Sequence, residues 1–221
     1  MKKLVALLLA VVLVLGLMTG ALAADGELAG KTVILHTNDV HGAIGLYAKV
    51  AALKKDYAEK GADVILVDAG DYIQGTPYVS DSQGKTAIEL MNAAGYDVAT
   101  FGNHEFDEGC KALSDYAKNA DFPLLAANLK PAPGCPLSKN HIASFTVINR
   151  PDAKIGIIGL ANPDVVNQSK ACKDTKFVDP VEAVKESVKA LQAQNVNIII
   201  VLSHLGLPFD EELAKSVSGV D

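Results

Sequence analysis

The chain is poor in positive charge. It holds one arginine, Arg150, and 20 basic residues in all against 26 acidic ones, for a net charge of −6. Two of the lysines, Lys2 and Lys3, stand at the start; without them 18 basic residues face 26 acidic ones, a balance near −8. No basic face of the kind that grips a nucleic acid polymer can be built from this. Nor is there a guanidinium cluster for a phosphate, so an anionic substrate needs its counter-charge from elsewhere, and bound metal ions are the obvious source. Cysteine is equally thin: Cys110, Cys135 and Cys172, an odd number whose spacing does not resemble a zinc site. One disulfide with a free thiol and no disulfide at all are both open, small buried residues being the simpler reading. Internal repeats, linkers and low-complexity tracts are missing.

The one long apolar run lies at the very beginning. A basic start at Lys2-Lys3, an apolar stretch over residues 4–18 and small residues at Ala21-Leu22-Ala23 form the pattern of a secretory signal peptide cut after Ala23. The stretch is about 15 residues, short of the roughly 20 that span a bilayer. The expectation is an exported chain (periplasmic, secreted or cell-wall associated) with no stable membrane span after cleavage. Residues 1–23 are then the signal and residues 24–221 a single domain, large enough for its own core.

Within that domain strands alternate with helices. Apolar runs at 31–36, 63–68, 96–101 and 197–203 read as strands. Leu46, Val50, Leu53 and Tyr57 line one face of a helix that Gly61 closes. Further helices are expected over 85–94, 108–119 and 208–217. Asp179-Pro180-Val181-Glu182 has the cap, first-turn proline and acidic third position of a helix start, and Val181, Val184, Val188 and Leu191 continue it as a stripe. Residues 141–149 and 154–160 form a hairpin around Arg150-Pro151-Asp152, whereas 130–140, with three prolines and a glycine, is an irregular loop. The alternation implies an α/β fold with a largely parallel sheet, covered on both faces.

Four strands run into residues that bind metals or handle protons: Asp39 and His41, then Asp71, then Asn103 with His104, and finally His204. In α/β sheets ligands gather at the C-terminal strand edge, so these groups can converge despite their separation. Asp39 and His41 are two apart, which in extended chain places both side chains on one face. Each signal alone is weak, because Asp-x-His and Gly-Asp recur by chance; four in order, each at a strand end, are not a chance pattern. His36 and His141 read as structural or surface residues.

Asp39-x-His41, Gly70-Asp71, Gly102-Asn103-His104-Glu105 and Ser203-His204 resemble the ordered motifs of the calcineurin-like metallophosphoesterases. The fuller strings around Asp39 and Asn103 are similar to the exported bacterial 5′-nucleotidases, a branch that also holds UDP-sugar hydrolases and 2′,3′-cyclic-nucleotide phosphodiesterases. The resemblance covers residues 31–221. It implies a four-layer α-β-β-α sandwich and hydrolysis of phosphate esters of nucleotides, either monoesters or diesters. It also implies two divalent ions (Zn, Mn or Fe) with Asp71 as bridge, Asp39 and His41 on one side, and Asn103 and His204 on the other. His104 then stabilises charge on the phosphoryl transition state or protonates the leaving alkoxide, and Asp107 orients its imidazole, a role compatible with capping the next helix.

The family pattern includes a further Gly-His-x-His segment, and this sequence reaches Asp221 without one. The expectation is therefore a sandwich cut before its last strands, three protein ligands per ion in place of four, and an absent C-terminal domain that carries the nucleotide pocket. Such a fragment is weakly active or inactive by itself. The alternative is a non-catalytic exported remnant of the scaffold that binds a metal or a partner.

Overall fold

A computed structural model describes residues 26–139, 142–163 and 175–221. The signal pattern, His141 and Cys172 lie outside the described residues. Among the described residues, nine strands and six helices follow in order. They are β1 (Thr32–Thr37), α1 (Gly45–Glu59), β2 (Asp63–Asp68), a single turn α2 (Pro77–Ser80), α3 (Lys85–Ala94), β3 (Val98–Thr100) and α4 (Gly109–Ala117). Then come β4 (Leu124–Leu125), β5 (Leu129–Pro131), β6 (Phe145–Asn149), β7 (Lys154–Leu160), β8 (Thr175–Phe177), α5 (Pro180–Gln192), β9 (Ile198–Ser203) and α6 (Leu207–Ser216).

The strands make two main sheets. The first is parallel throughout, in the order β1-β2-β3-β4; the second has the order β6-β7-β9, with β6–β7 an antiparallel hairpin and β7–β9 parallel. Alternation along β2 and β7 shows how they pack. Ile65 and Val67 on β2 meet Ile155 and Ile157 on β7 between the sheets. Leu66 turns the other way, onto the layer containing Tyr47, Ile88, Met91 and Leu113. Ile158 and Leu160 turn onto Val184, Val188 and Leu191 of α5. Helices, sheet, sheet, helices: the central strands β2, β3 and β7 bury both faces, which is why these runs are apolar without a break. The sheets approach closely at Gly159, where a Cβ would stand 2.4 Å from the Cβ of Leu125.

Local signals behaved as their chemistry requires. Asp179 accepts a hydrogen bond from the Glu182 N–H at 3.0 Å, with Pro180 opening α5. Gly95 ends α3 at φ +76°. Arg150 N–H donates to the Ala153 carbonyl and closes the hairpin.

Three expectations need correction. Helix α1 buries Tyr47 and half-buries Val50, Ala51 and Lys54, whereas Leu53 is 43% exposed. Leu46, Val50 and Tyr57 of the expected stripe are half-buried as expected, so the correction is confined to one edge. Tyr47, the larger apolar surface, takes the core beside them, and at the level of Leu53 it is Lys54 that turns inward, its ammonium reaching the Asp97 carboxylate at 2.7 Å. Second, the start of the span expected to be irregular, residues 130–131, belongs to β5, which pairs antiparallel with β8 in a sheet of two strands; from 132 to 139 the chain forms no strand. Third, β1 is not covered on both faces: Ile34 is 43% exposed, since β9, the edge of the second sheet, stops short of it. Among the cysteines, Cys110 is engaged in a disulfide and Cys135 is a buried free thiol.

Candidate metal centre

Parallel pairing of β1, β2 and β3 brings their C-terminal ends to one rim, and β9 ends beside them. Asp39 and His41 follow β1, Asp71 follows β2, and Asn103 and His104 follow β3. The sequence placed Asp39 and His41 on one face of extended chain. They stand instead in left-handed backbone, at φ +50° and +46°, and Asp71 does too, at φ +62°. Such conformations are rare and costly for residues other than glycine. Here the loops hold one another in them: the Asp39 N–H donates to the Gly70 carbonyl and the His41 N–H to the Asp71 carbonyl, each at 3.0 Å.

Asp71 is the centre of the rim. Its side chain is 4% exposed, and its Oδ1 accepts the His104 backbone N–H at 2.9 Å. Its Oδ2 lies 3.3 Å from His204 Nε2 and 3.7 Å from His41 Nε2. His41 Nε2 is in turn 3.4 Å from Asp39 Oδ1. Asp71 therefore belongs to two groups of donor atoms, one with Asp39 and His204 and the other with His41 and His104, each within 4.8 Å. Asn103, half-buried, heads the short 3₁₀ turn His104–Phe106 and accepts the Phe106 N–H on its backbone carbonyl. His36 stands apart on exposed β1.

The approach of the loops is close enough to exclude a side chain. A Cβ on Gly102 would stand 2.1 Å from Asp71 Oδ1, and one on Gly70 would stand 2.3 Å from the Gly102 nitrogen. Glycine is required there by contact.

Electrostatics follows from this packing. Burial pushes the Asp71 carboxyl up, but hydrogen bonds from His204 and the His104 N–H, together with the charges of both rings, outweigh it and hold it below the usual carboxylate range. Burial opposes a charge on His204, yet the hydrogen bond and charge of Asp71 raise its pKa to about 9. His104 is raised too: desolvation pulls it down, but Asp107 more than compensates, its Oδ2 lying 2.6 Å from His104 Nδ1.

The donor set fits divalent transition ions. Two carboxylates and several imidazoles around one buried oxygen pair form a mixed N/O environment of that kind. His204 Nδ1 donates to the Ala69 carbonyl at 2.8 Å, which leaves Nε2 facing Asp71; such an outer hydrogen bond is what orients histidine ligands. The chain's single arginine supplies no charge here, because Arg150 pairs with Asp63 at 2.6 Å, at the opposite end of β2. A polar cleft of about 330 Å³ opens beside Asp39 and His204. A larger apolar one, about 490 Å³, lies between β1, β9 and α6 and contains none of these donors.

Three polar residues behind or beside the rim were missed from the sequence. Gln74 Nε2 donates to Asp107 Oδ2 at 3.2 Å. Asp68 and Glu105 are carboxylates with no exposed surface. Only Glu105 carried a signal, an acid set between Phe101 and Phe106 at the end of an apolar strand.

A family profile described as calcineurin-like phosphoesterase matches residues 32–220. The snake venom 5′-nucleotidase of Gloydius brevicauda is 34% identical over 209 residues, covering 86% of this chain and 36% of its own length. The probable 5′-nucleotidase of Treponema pallidum is 33% identical, covering 90% of this chain and 36% of its own. In three dimensions the 5′-nucleotidase precursor of Thermus thermophilus matches with a TM-score of 0.79 at 33% identity, over 85% of this chain and 40% of that one. The chain thus spans a little over a third of the length of these relatives.

Proposed function

The chain belongs to the calcineurin-like phosphoesterase family, and from that premise we propose that it hydrolyses phosphate esters of nucleotides at the Asp71 rim. In this reading the rim holds two divalent ions with Asp71 shared between them. Asp39 and His41 complete one side, and Asn103 and His204 the other. The observation that carries the shared role is the membership of Asp71 in both donor groups. These groups pair Asp39 with His204 and His41 with His104, so the assignment of the other ligands to one ion or the other rests on the motif resemblance and not on this geometry. Bound ions supply the counter-charge and phosphoryl polarisation that a chain with one distant arginine cannot.

The remaining work falls to the protein's own groups. Asp107 holds His104 through Nδ1, which leaves Nε2 as the atom to stabilise charge on the phosphoryl group or give its proton to the leaving oxygen. A scaffold that merely bound a metal has no use for this pair, which favours the enzyme over the non-catalytic alternative. The relatives' names point to 5′-nucleotides as the substrate class, and the N-terminal pattern to export. No helix among the described residues is long and apolar enough to cross a membrane.

The test is metal content together with hydrolysis of AMP and p-nitrophenyl phosphate by the purified chain loaded with Mn²⁺ or Zn²⁺. Bound metal with weak metal-dependent phosphate release is expected, since the motifs present supply three protein ligands per ion and not four. Metal uptake without turnover supports the binding scaffold, and uptake of no metal overturns the reading.

A further inference from the structure

We propose that Glu105 is a positioning residue of this site: its buried carboxylate clamps the loop carrying Asp71 against the loop carrying Asn103 and His104. It thereby sets where Asp71 presents its oxygens. The inference rests on the metal-centre reading above and adds a residue to it that touches neither metal nor substrate.

The hydrogen bonds are specific. Glu105 Oε2 accepts the N–H groups of Gly102 at 2.6 Å and Asp71 at 2.8 Å. Its Oε1 accepts those of Tyr72 at 2.9 Å and Ile73 at 3.3 Å. Asp68 Oδ1 takes the Gly70 N–H at 2.8 Å. Every backbone N–H from residue 70 to residue 73 is thus directed at a buried carboxylate. Successive N–H groups converging on one anion make a nest, a motif usually filled by a ligand from outside. Here the anion is a side chain of the neighbouring loop.

Two features tie the clamp to the site and not only to the fold. Asp71 holds its left-handed conformation at φ +62° while its own N–H is one of the clamped donors. Gly102, whose N–H is another, has its Cβ space filled by Asp71 Oδ1. One carboxylate therefore fixes both the backbone of Asp71 and the wall against which its side chain rests. From behind, Tyr116 Oη donates to the Glu105 carbonyl at 3.3 Å and steadies the turn. The chemistry explains why a carboxylate is needed. Four N–H donors from two loops need four lone pairs on two oxygens, and an amide offers one oxygen and brings two donors of its own. Glutamine keeps the shape and leaves buried N–H groups facing N–H groups.

The test compares wild type, Glu105→Gln, and Leu191→Ala. The last, in the far helical layer, supplies a general loss of stability. Amide hydrogen exchange is read by NMR, Mn²⁺ affinity by competition with a chelating dye, and folding by the thermal midpoint. In Glu105→Gln, exchange at Asp71, Tyr72 and Gly102 should quicken at least about tenfold while β7 stays protected, and Mn²⁺ affinity should fall about 10- to 100-fold. Leu191→Ala should lower the midpoint and leave Mn²⁺ affinity alone. Unchanged exchange at those three amides, or unchanged Mn²⁺ affinity beside quickened exchange, overturns the proposal. Wild type that binds no Mn²⁺ overturns the metal-centre reading by itself, and the exchange data then still decide whether the clamp exists. Should Glu105→Gln fail to fold, Glu105→Asp, which keeps the charge and loses reach, is judged by the same two readings.

Discussion

His204 Nε2 sits 3.3 Å from Asp71 Oδ2 while His204 Nδ1 donates to the Ala69 carbonyl, so one imidazole ties the end of β9 to the loop after β2. The two sheets therefore meet at the rim through a polar contact as well as through their apolar interface. In the absence of metal this contact is an ion pair, with Asp71 held anionic and His204 held cationic. A metal ion would take the place of the proton on Nε2, which couples the stability of the site to both pH and metal.

That coupling has a sign. His204 is raised from 6.5 to about 9, so its contribution is complete below 6.5 and is lost as pH climbs through 9. Asp68, pushed to about 7 mainly by burial, holds its proton more tightly folded than unfolded, so stability also falls as pH rises from about 4 to 7. Glu105 is raised by burial as well, but its protonation would take an acceptor from its four N–H bonds, which sets it apart from this trend. Asp71, which is lowered, acts oppositely and only at the acid end. The chelated chain should thus melt several degrees higher at pH 5.5 than at pH 9.5, given about 2–4 °C per kcal/mol for a domain of this size. Added Mn²⁺ should flatten the trend. A scan series in EDTA showing the reverse slope would contradict the Asp71–His204 pairing.

Asp71→Asn removes the carboxylate common to both donor groups. Loss should exceed the 10- to 100-fold typical of outer partners, for Mn²⁺ affinity and for phosphate release alike. The thermal midpoint of the chelated variant is the control: it should drop, because His204 loses its counter-charge. Retained stoichiometric binding of two ions by this variant would remove Asp71 from its central role.

Much of this was legible in the sequence, for reasons that differ residue by residue. The central strands β2 and β7 show as unbroken apolar runs because both their faces are covered, and the rim residues show because each follows a strand-like run. Tyr47 was missed and Leu53 wrongly favoured because periodicity sees spacing and not the size of the ring that the core accepts. The β5–β8 pair escaped because it spans three residues on each side, less than any pattern can register. Asp39 and His41 were correctly neighbours for the wrong reason: loop-to-loop hydrogen bonds, which no local pattern encodes, bend them left-handed. Glu105 stayed hidden since its partners are backbone amides of another loop.

Gly102→Ala separates contact from conformation. The backbone there is not left-handed, so alanine carries no torsional penalty, yet its Cβ would fall 2.1 Å from Asp71 Oδ1 and 2.7 Å from Asp71 Cγ. The carboxylate must move, and because the same Cβ would stand 2.8 Å from the Asp71 nitrogen, the backbone beside it must move as well. Mn²⁺ affinity should drop at least about tenfold with a modest loss of stability, about 1–3 kcal/mol for overpacking. A urea melt beside a metal titration reads both; a large stability loss with intact affinity would place the strain elsewhere.

Asp107→Asn tests the proton-handling pair. Asp107 accepts from His104 Nδ1 at 2.6 Å and raises the pKa of that ring against the pull of its partial burial. Without the carboxylate the imidazolium loses its partner, so the protonated form disappears at lower pH. If protonated His104 serves the leaving oxygen, the alkaline limb of the kcat–pH profile should shift to lower pH, and kcat should fall about 10²-fold or more, within the 10²–10⁴ that general acid catalysis supplies. Metal content should stay at the wild-type level, since Asp107 contributes to neither donor group. KM should move little, because the loss is of a group acting on the reacting phosphoryl centre and not of ground-state binding. An unchanged alkaline limb with an undiminished kcat would leave Asp107 as a surface carboxylate, and His104 would then need no orienting partner.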